Sequence, residues 1–400
     1  MKRADAIRDI VSEFGPKDPV IDADPTSLPL ALPSFGKIEV EEAIDALLSG
    51  WITMGERVFQ FERDWASYVG TKHAIAVNSG SSALLVMLSA LIECGDLKKG
   101  DRVIVPAVGW STSLFSIAQA GLVPVLVDVD PNTLSLSGDF DLPVLGLHLL
   151  GNPARVRTPL LLEDACAAHG AMIGDKKVGS IGVCGAFSFF FSHHITTGEG
   201  GMITTNRDDL ADACRSIRAH GWVRERSDFE DWVERYPEID PRFLFGTMGY
   251  NLRMTEVAGA FGIHQVKRLE QFTQTRRNNH QEWCEMIKDA GLPLMVFPEQ
   301  EGTRHAGFGF PMILDENAGL SRAELSQFLE DRKIQTRPIS GANLSIQPAF
   351  KKMGNAEVRG DLSVAKRVQE RGLFVGQSHA FSRQHGQLLL DALKSALRSS

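Results

Sequence analysis

Cysteine is scarce in this 400-residue chain: Cys94, Cys166, Cys184, Cys214 and Cys284 are scattered, odd in number, and form no Cys-x-x-Cys pair. That argues against a disulfide framework and against a thiolate metal site. No apolar run approaches the length of a transmembrane helix, and no apolar signal region follows Met1-Lys2-Arg3. A basic surplus is missing as well. The formal net charge is −8, so nothing points to nucleic acid. Internal repeats and low-complexity tracts are lacking too. The expectation left standing is a reduced, cytoplasmic enzyme without a membrane or metal site. Its 43% hydrophobic content can fill a large core, divided by a length prior into about two or three domains.

What is present is a rhythm of strand, turn and helix. Ile7, Ile10, Val11 and Phe14 fall at helical spacing, and a proline-rich lead-in from Pro16 to Pro33 follows. Helices are expected at 36–48 and 59–68. Apolar strands are expected at 73–78, 102–106, 123–128, 143–149, 159–162, 186–190 and 202–205, with helices at 83–92, 114–120 and 211–219 between or after them. Such strands alternating with helices predict an α/β fold with a mostly parallel sheet covered on both faces. Further on, the pattern predicts a long helix from Thr255 to about Ala290. A strand at 308–314 and helices at 322–332 and 388–397 follow it. The expected division is a large domain over 28–275 and a smaller C-terminal domain over 276–400, with 1–27 packed on the latter.

Four stretches carry chemistry. Ser79-Gly80-Ser81-Ser82 lies between a strand and a helix, where free N–H groups and the helix dipole favour a phosphate; on its own it reads first as an N-cap with a turn glycine, and its order relative to the later motifs favours the phosphate. Trp110 follows a strand end, the ligand-binding edge of open α/β sheets, and its ring could stack on a flat ligand or fill the core. Glu163-Asp164 closes a strand with two acids. Gly185-Ala-Phe-Ser-Phe-Phe-Phe-Ser-His193-His194-Ile-Thr-Thr-Gly-Glu-Gly-Gly201 runs from an apolar segment through two histidines into a glycine turn able to hold a polar group beside a ligand.

In this order these motifs, with Gly249-Tyr-Asn251-Leu-Arg-Met-Thr, resemble the sugar aminotransferases of the DegT/DnrJ/EryC/StrS type. These belong to the aspartate-aminotransferase-like, fold type I superfamily, which uses pyridoxal phosphate (PLP). The resemblance spans roughly residues 28–275. It implies phosphate contacts from Gly80, Ser81 and Ser188, ring stacking by Trp110, and a pyridine-nitrogen contact from Asp164, which keeps the ring an electron sink. It also implies a homodimer with shared active sites, in which Asn251 reaches the neighbouring subunit's cofactor. His148, Cys166, His169 and His194 are read as packing or supporting residues.

One position departs from the family: His193 stands where the cofactor lysine belongs. Histidine can serve as a general base but offers no amine to anchor PLP, so non-covalent PLP, or its amino form PMP, is implied. A branch of sugar 3-dehydratases shares this replacement. The chain also resembles that branch at His193-His-Ile-Thr196, Gly307-Phe-Gly-Phe-Pro311 and Gly341–Phe350. No cysteine lies between Arg218 and Asn251, so the resemblance is to the subgroup without an iron–sulfur cluster, which acts on GDP-4-keto-6-deoxymannose. The implied activity removes the carbon-3 hydroxyl of a nucleotide-linked 4-keto-6-deoxy sugar, with L-glutamate as amino donor. His193 and Asp164 would be the catalytic residues. An aminotransferase making an amino sugar and an inactive nucleotide-sugar-binding relative are the alternatives. Arg226, Arg337 and Asn343 are unranked candidates for substrate contacts.

Overall fold

The structure is a computed structural model, and it describes residues 3–16 and 23–397. Part of the expected proline-rich lead-in, residues 17–22, lies outside the described residues.

An eight-stranded sheet organises the larger part of the chain. Its spatial order is His73–Val77, Gly201–Thr205, Cys184–Ser188, Leu161–Asp164, Val144–Leu147, Arg102–Pro106, Val123–Val127 and Glu357–Arg359. Gly201–Thr205 runs antiparallel to both neighbours, and every other pairing is parallel. Side chains alternate across this sheet, as a pleated strand requires. Ile75 and Val77 enter one apolar cluster with Leu84, Leu88 and Ile203, whereas Ala74 and Ala76 enter another with Phe61, Trp65 and Phe187. Both faces are therefore buried, and the near-continuous apolar composition of the strands follows.

A second sheet orders Leu294–Val296, Gly309–Leu314, Gly372–Gly376 and Thr336–Pro338. Its core contains Phe310, Leu325, Leu373 and Leu389, together with Trp283 and Ile287 from the long helix Glu256–Asp289. That helix is capped by Thr255, whose side chain accepts from Ala258 N. Its 34 residues span about 50 Å, so one rigid rod serves both cores: Leu269 and Phe272 pack beneath the large sheet. The expected division at 275/276 falls inside this helix, and two segments cross it. Leu28 bridges to Ile334 and sits in the core of the small sheet, while Glu357–Arg359 returns to the edge of the large one. The first helix, Arg3–Phe14, lies against Lys37–Leu48.

Some expectations need correction. The strand expected at 186–190 ends at Ser188, and Phe190 and Phe191 are exposed rather than buried. Ladder pairing with Gly201–Thr205 stops at Ser188, and the chain then bends to form a cavity wall. In the first helix only Ile7 and Val11 are buried, while Ile10 and Phe14 face outward. The helix expected to begin at Ala83 starts at Gly80, directly behind the Ser79 cap. Ser363–Arg371 is a helix that was not among those expected, and Ala365 and Val368, three positions apart, form its buried face.

Candidate active site

The C-terminal ends of the parallel strands open into a cavity of about 570 Å³, the position where open α/β sheets bind ligands. Leu147, Asp164 and Ser188 are the last residues of three strands and line it. Arg337, Pro338 and Phe374 close it from the small sheet.

One wall is the start of the helix Gly80–Glu93. Ser79 caps it, its Oγ accepting from Ser82 N at 3.1 Å, so the N–H groups of the first turn have no partner within the helix. A Cβ on Gly80 would lie 2.6 Å from the Ser188 Cβ and 2.9 Å from the Cys166 Sγ. Glycine is thus the only residue that lets this backbone approach so closely. Gly80, Ser81 and Ser188 face the cavity together.

Trp110 also lines it, at 60% exposure, with its ring left uncovered by protein. Trp110 is therefore not the core residue that one of the two readings made it. Trp110 precedes the helix Ser111–Gln119, whose Ser113 donates from Oγ to Asp164 Oδ2 at 2.6 Å. Cys166 N donates to Asp164 Oδ1 at 3.2 Å. The Cys166 thiol, expected to pack, lines the cavity instead; burial and the neighbouring Asp164 charge push its pKa well up, so it stays protonated.

His193 lies on the bend after Ser188, its N–H bonded to Phe190 O at 2.9 Å and its ring 5.1 Å from that of Phe308. Its Nδ1 is buried without a partner, which leaves Nε2 as the nitrogen available to a ligand. Burial, reinforced by the charge of Arg276, lowers its pKa to about 3. His194 turns the other way. It is fully buried, with Nε2 at 3.0 Å from Ala306 O and Nδ1 at 3.0 Å from His169 Nδ1. Because a carbonyl only accepts, His194 Nε2 carries the proton, and His169 Nδ1 is the donor between the two rings. Both are held neutral by burial, as is fitting for supporting residues. Arg276 is itself buried without a carboxylate. Its guanidinium donates to the carbonyls of Gly307 and Gln377, and burial lowers its pKa to about 9.

Sequence reasoning thus placed Gly80, Ser81, Trp110, Asp164, Ser188 and His193 around a single cavity. Asn251, expected at the neighbouring subunit's cofactor, is not among them. Asn251 is exposed, its Oδ1 accepts from Arg253, and it does not line the cavity. Of the unranked candidates Arg337 lines the cavity, while Asn343 is buried and bonded to Ser345, and Arg226 pairs with Asp228. Ser113 and Glu199 were missed. Glu199 lies within the glycine turn already singled out, whereas nothing local marks Ser113. Among the described residues no lysine lines the cavity, and no cluster of residues suited to a metal ion occurs.

These features fit a phosphorylated pyridine. The cradle at Gly80 suits a phosphate, the uncovered indole suits a ring face, and the oriented carboxylate of Asp164 suits a protonated ring nitrogen. The sequence profile of the DegT/DnrJ/EryC1/StrS aminotransferase family matches residues 33–139 and 154–394. The chain belongs to that family. A GDP-4-keto-6-deoxy-D-mannose 3-dehydratase of Yersinia pseudotuberculosis is 35% identical over 92% of this chain and 98% of its own. The structure superposes on a histidine-to-asparagine variant of a GDP-4-keto-6-deoxymannose 3-dehydratase with bound GDP-perosamine. The TM-score is 0.84 at 33% identity, covering 92% of this chain and 100% of the other. A structure of that type of enzyme with a trapped PLP–glutamate geminal diamine matches at TM-score 0.81 and 33% identity, over 93% and 100% of the two chains. The aspartate-aminotransferase-like architecture expected from the sequence is the family's fold.

Proposed function

We propose that this family member is a PLP/PMP-dependent 3-dehydratase. It removes the hydroxyl at carbon 3 of a nucleotide-linked 4-keto-6-deoxy sugar, with L-glutamate as amino donor, in deoxysugar and lipopolysaccharide O-antigen biosynthesis. The observation that carries this reading is His193 on the wall of a cavity that no lysine lines. An amine there could hold the cofactor covalently; an imidazole can only move protons.

The cofactor would be held non-covalently, without an iron–sulfur cluster beside it. Gly80, Ser81 and Ser188 would hold its phosphate, Trp110 its ring face and Asp164 its ring nitrogen. When bound, it supplies an amino group for the sugar's keto carbon and a ring that withdraws electrons. His193 acts as general base at Nε2. The burial that keeps its imidazole neutral leaves that lone pair free. Phe190 and Phe308 flank the His193 ring and limit water at it. Over the whole reaction the sugar loses one oxygen, glutamate becomes 2-oxoglutarate, and its nitrogen leaves as ammonia. The two electrons lost by glutamate are those gained by the sugar.

Two further parts of the reading concern assembly and place. The chain would act as a homodimer with shared sites, and the exposure of Asn251 beside Phe245, Met248 and Tyr250 supports this. It would work in the cytoplasm, and no helix among the described residues is long and apolar enough to cross a membrane.

The deciding experiment incubates the purified protein with PLP, L-glutamate and GDP-4-keto-6-deoxymannose and takes a mass spectrum of the sugar product. A sugar one oxygen lighter, with ammonia released, is the expected result. An amine on the sugar would replace the dehydratase reading with an aminotransferase that works without its lysine.

A further inference from the structure

We propose that Ser113 is a positioning residue for Asp164, aiming its carboxylate at the cofactor's ring nitrogen; this rests on the PLP reading above. Ser113 is 1% exposed and its Oγ lies 2.6 Å from Asp164 Oδ2, across 51 residues of sequence. A hydroxyl facing a carboxylate donates, and such charge-assisted bonds are short and directional. Asp164 is itself 2% exposed and, among the described residues, forms no ion pair with a lysine, arginine or histidine. Neutral donors therefore set its orientation. Cys166 supplies two of them, its backbone N–H, which no side-chain substitution removes, and its thiol. The third is Ser113.

The location of Ser113 gives this bond a second consequence. It lies in the first turn of the helix Ser111–Gln119, directly after Trp110 and Thr112, both of which line the cavity. The bond to Asp164 thus ties the helix start that presents the indole to the strand end that presents the acid. Ring face and ring nitrogen are two contacts on one flat ligand, and a fixed spacing between them is what a pre-organised site needs. Trp110 and Asp164 come from different strand–helix units of the sheet, so their spacing would otherwise depend on backbone packing alone.

The test compares wild type with S113A and S113T, using cofactor binding rather than turnover as the readout. PMP affinity is followed by quenching of tryptophan fluorescence, and the ionisation of bound PMP by absorbance across pH. The expected result for S113A is an affinity about ten-fold weaker, the loss typical of one hydrogen bond to a charged group. Its absorbance midpoint should shift to lower pH, because a misaimed carboxylate protects the ring proton less well. S113T, which keeps the hydroxyl, should restore both, and the thermal midpoint of the apo protein should stay close to wild type in S113A. Unchanged affinity and midpoint in S113A would overturn the inference. So would a midpoint shifted to higher pH, since that would mean Ser113 tempers the acid's charge rather than aims it. Wild-type protein that takes up neither PLP nor PMP would instead remove the cofactor reading itself, and this inference with it.

Discussion

Glu163 and Asp164 are adjacent in sequence and point to opposite faces of the same strand. Glu163 is fully buried and accepts the backbone N–H groups of Gly179, Ile181 and Gly182 and the His148 Nε2 proton. His148 Nδ1 accepts from Ala154 N, which fixes the proton on Nε2. Asp164 faces the cavity. One acid anchors the fold and its neighbour lines the cavity.

Substituting the two should therefore separate stability from chemistry. Glu163→Gln loses charge-assisted bonds in a dry site and should lower unfolding stability by about 3 kcal/mol. Asp164→Asn, which gives up fewer such bonds at the cavity wall, should lower the urea midpoint less than Glu163→Gln does and abolish sugar turnover. Parallel urea melts and product assays check both, and equal stability loss in the two variants would refute the division.

His193→Lys restores the residue type that the family places there. The variant should retain PLP covalently, seen as added mass after borohydride reduction, and should lose dehydration. Dehydratase turnover that persists in it would remove His193 as the base.

Acid should destabilise the protein early. His169, His194 and His305 are buried and their pKa values lie well below the usual imidazole value, while His193 is lowered to about 3 and His280 to about 4. A lowered folded-state pKa means that the unfolded chain binds these protons first. The stability contributed by neutral burial is full above about pH 6.5 and drains as pH falls toward the folded values. Each group then removes about 1.4 kcal/mol per pH unit. Urea midpoints at pH 7 and pH 5 should differ markedly, and equal midpoints would contradict the assignment. The His193 value carries a kinetic counterpart: kcat/KM should show no loss near pH 6.5 from protonation of this base.

Shared sites are tested by mixing. His193→Ala and Asn251→Ala proteins should each be inactive, and mixed dimers should recover part of the wild-type rate because one of their two sites is intact. No recovery after verified subunit exchange would place Asn251 outside the site.

Much of this was legible locally. The helix Glu256–Asp289 announces itself through the Thr255 cap and its apolar spacing, and the strands of the large sheet through short runs of Val, Ile and Leu. Periodicity and capping act between residues a few positions apart, so one chain read in order displays them. The order Gly80, Trp110, Asp164, Ser188, His193 fixed one wall after another of a single site, because each residue sits at or just after a strand or at a helix start, and parallel strands bring those ends together.

Tertiary structure decided the remainder. Only the folded sheet sets Gly201–Thr205 antiparallel between two strands, draws Glu357–Arg359 back to its far edge, and turns Phe190 from expected core to cavity wall. Only the fold also sends Glu163 to a cage of backbone N–H groups, brings Ser113 to Asp164 and leaves Asn251 outside the cavity of its own chain. The reason is one of range. A hydrogen bond between residues 51 positions apart leaves no trace in the spacing of either, because what selects the pair is the position of two backbones in space.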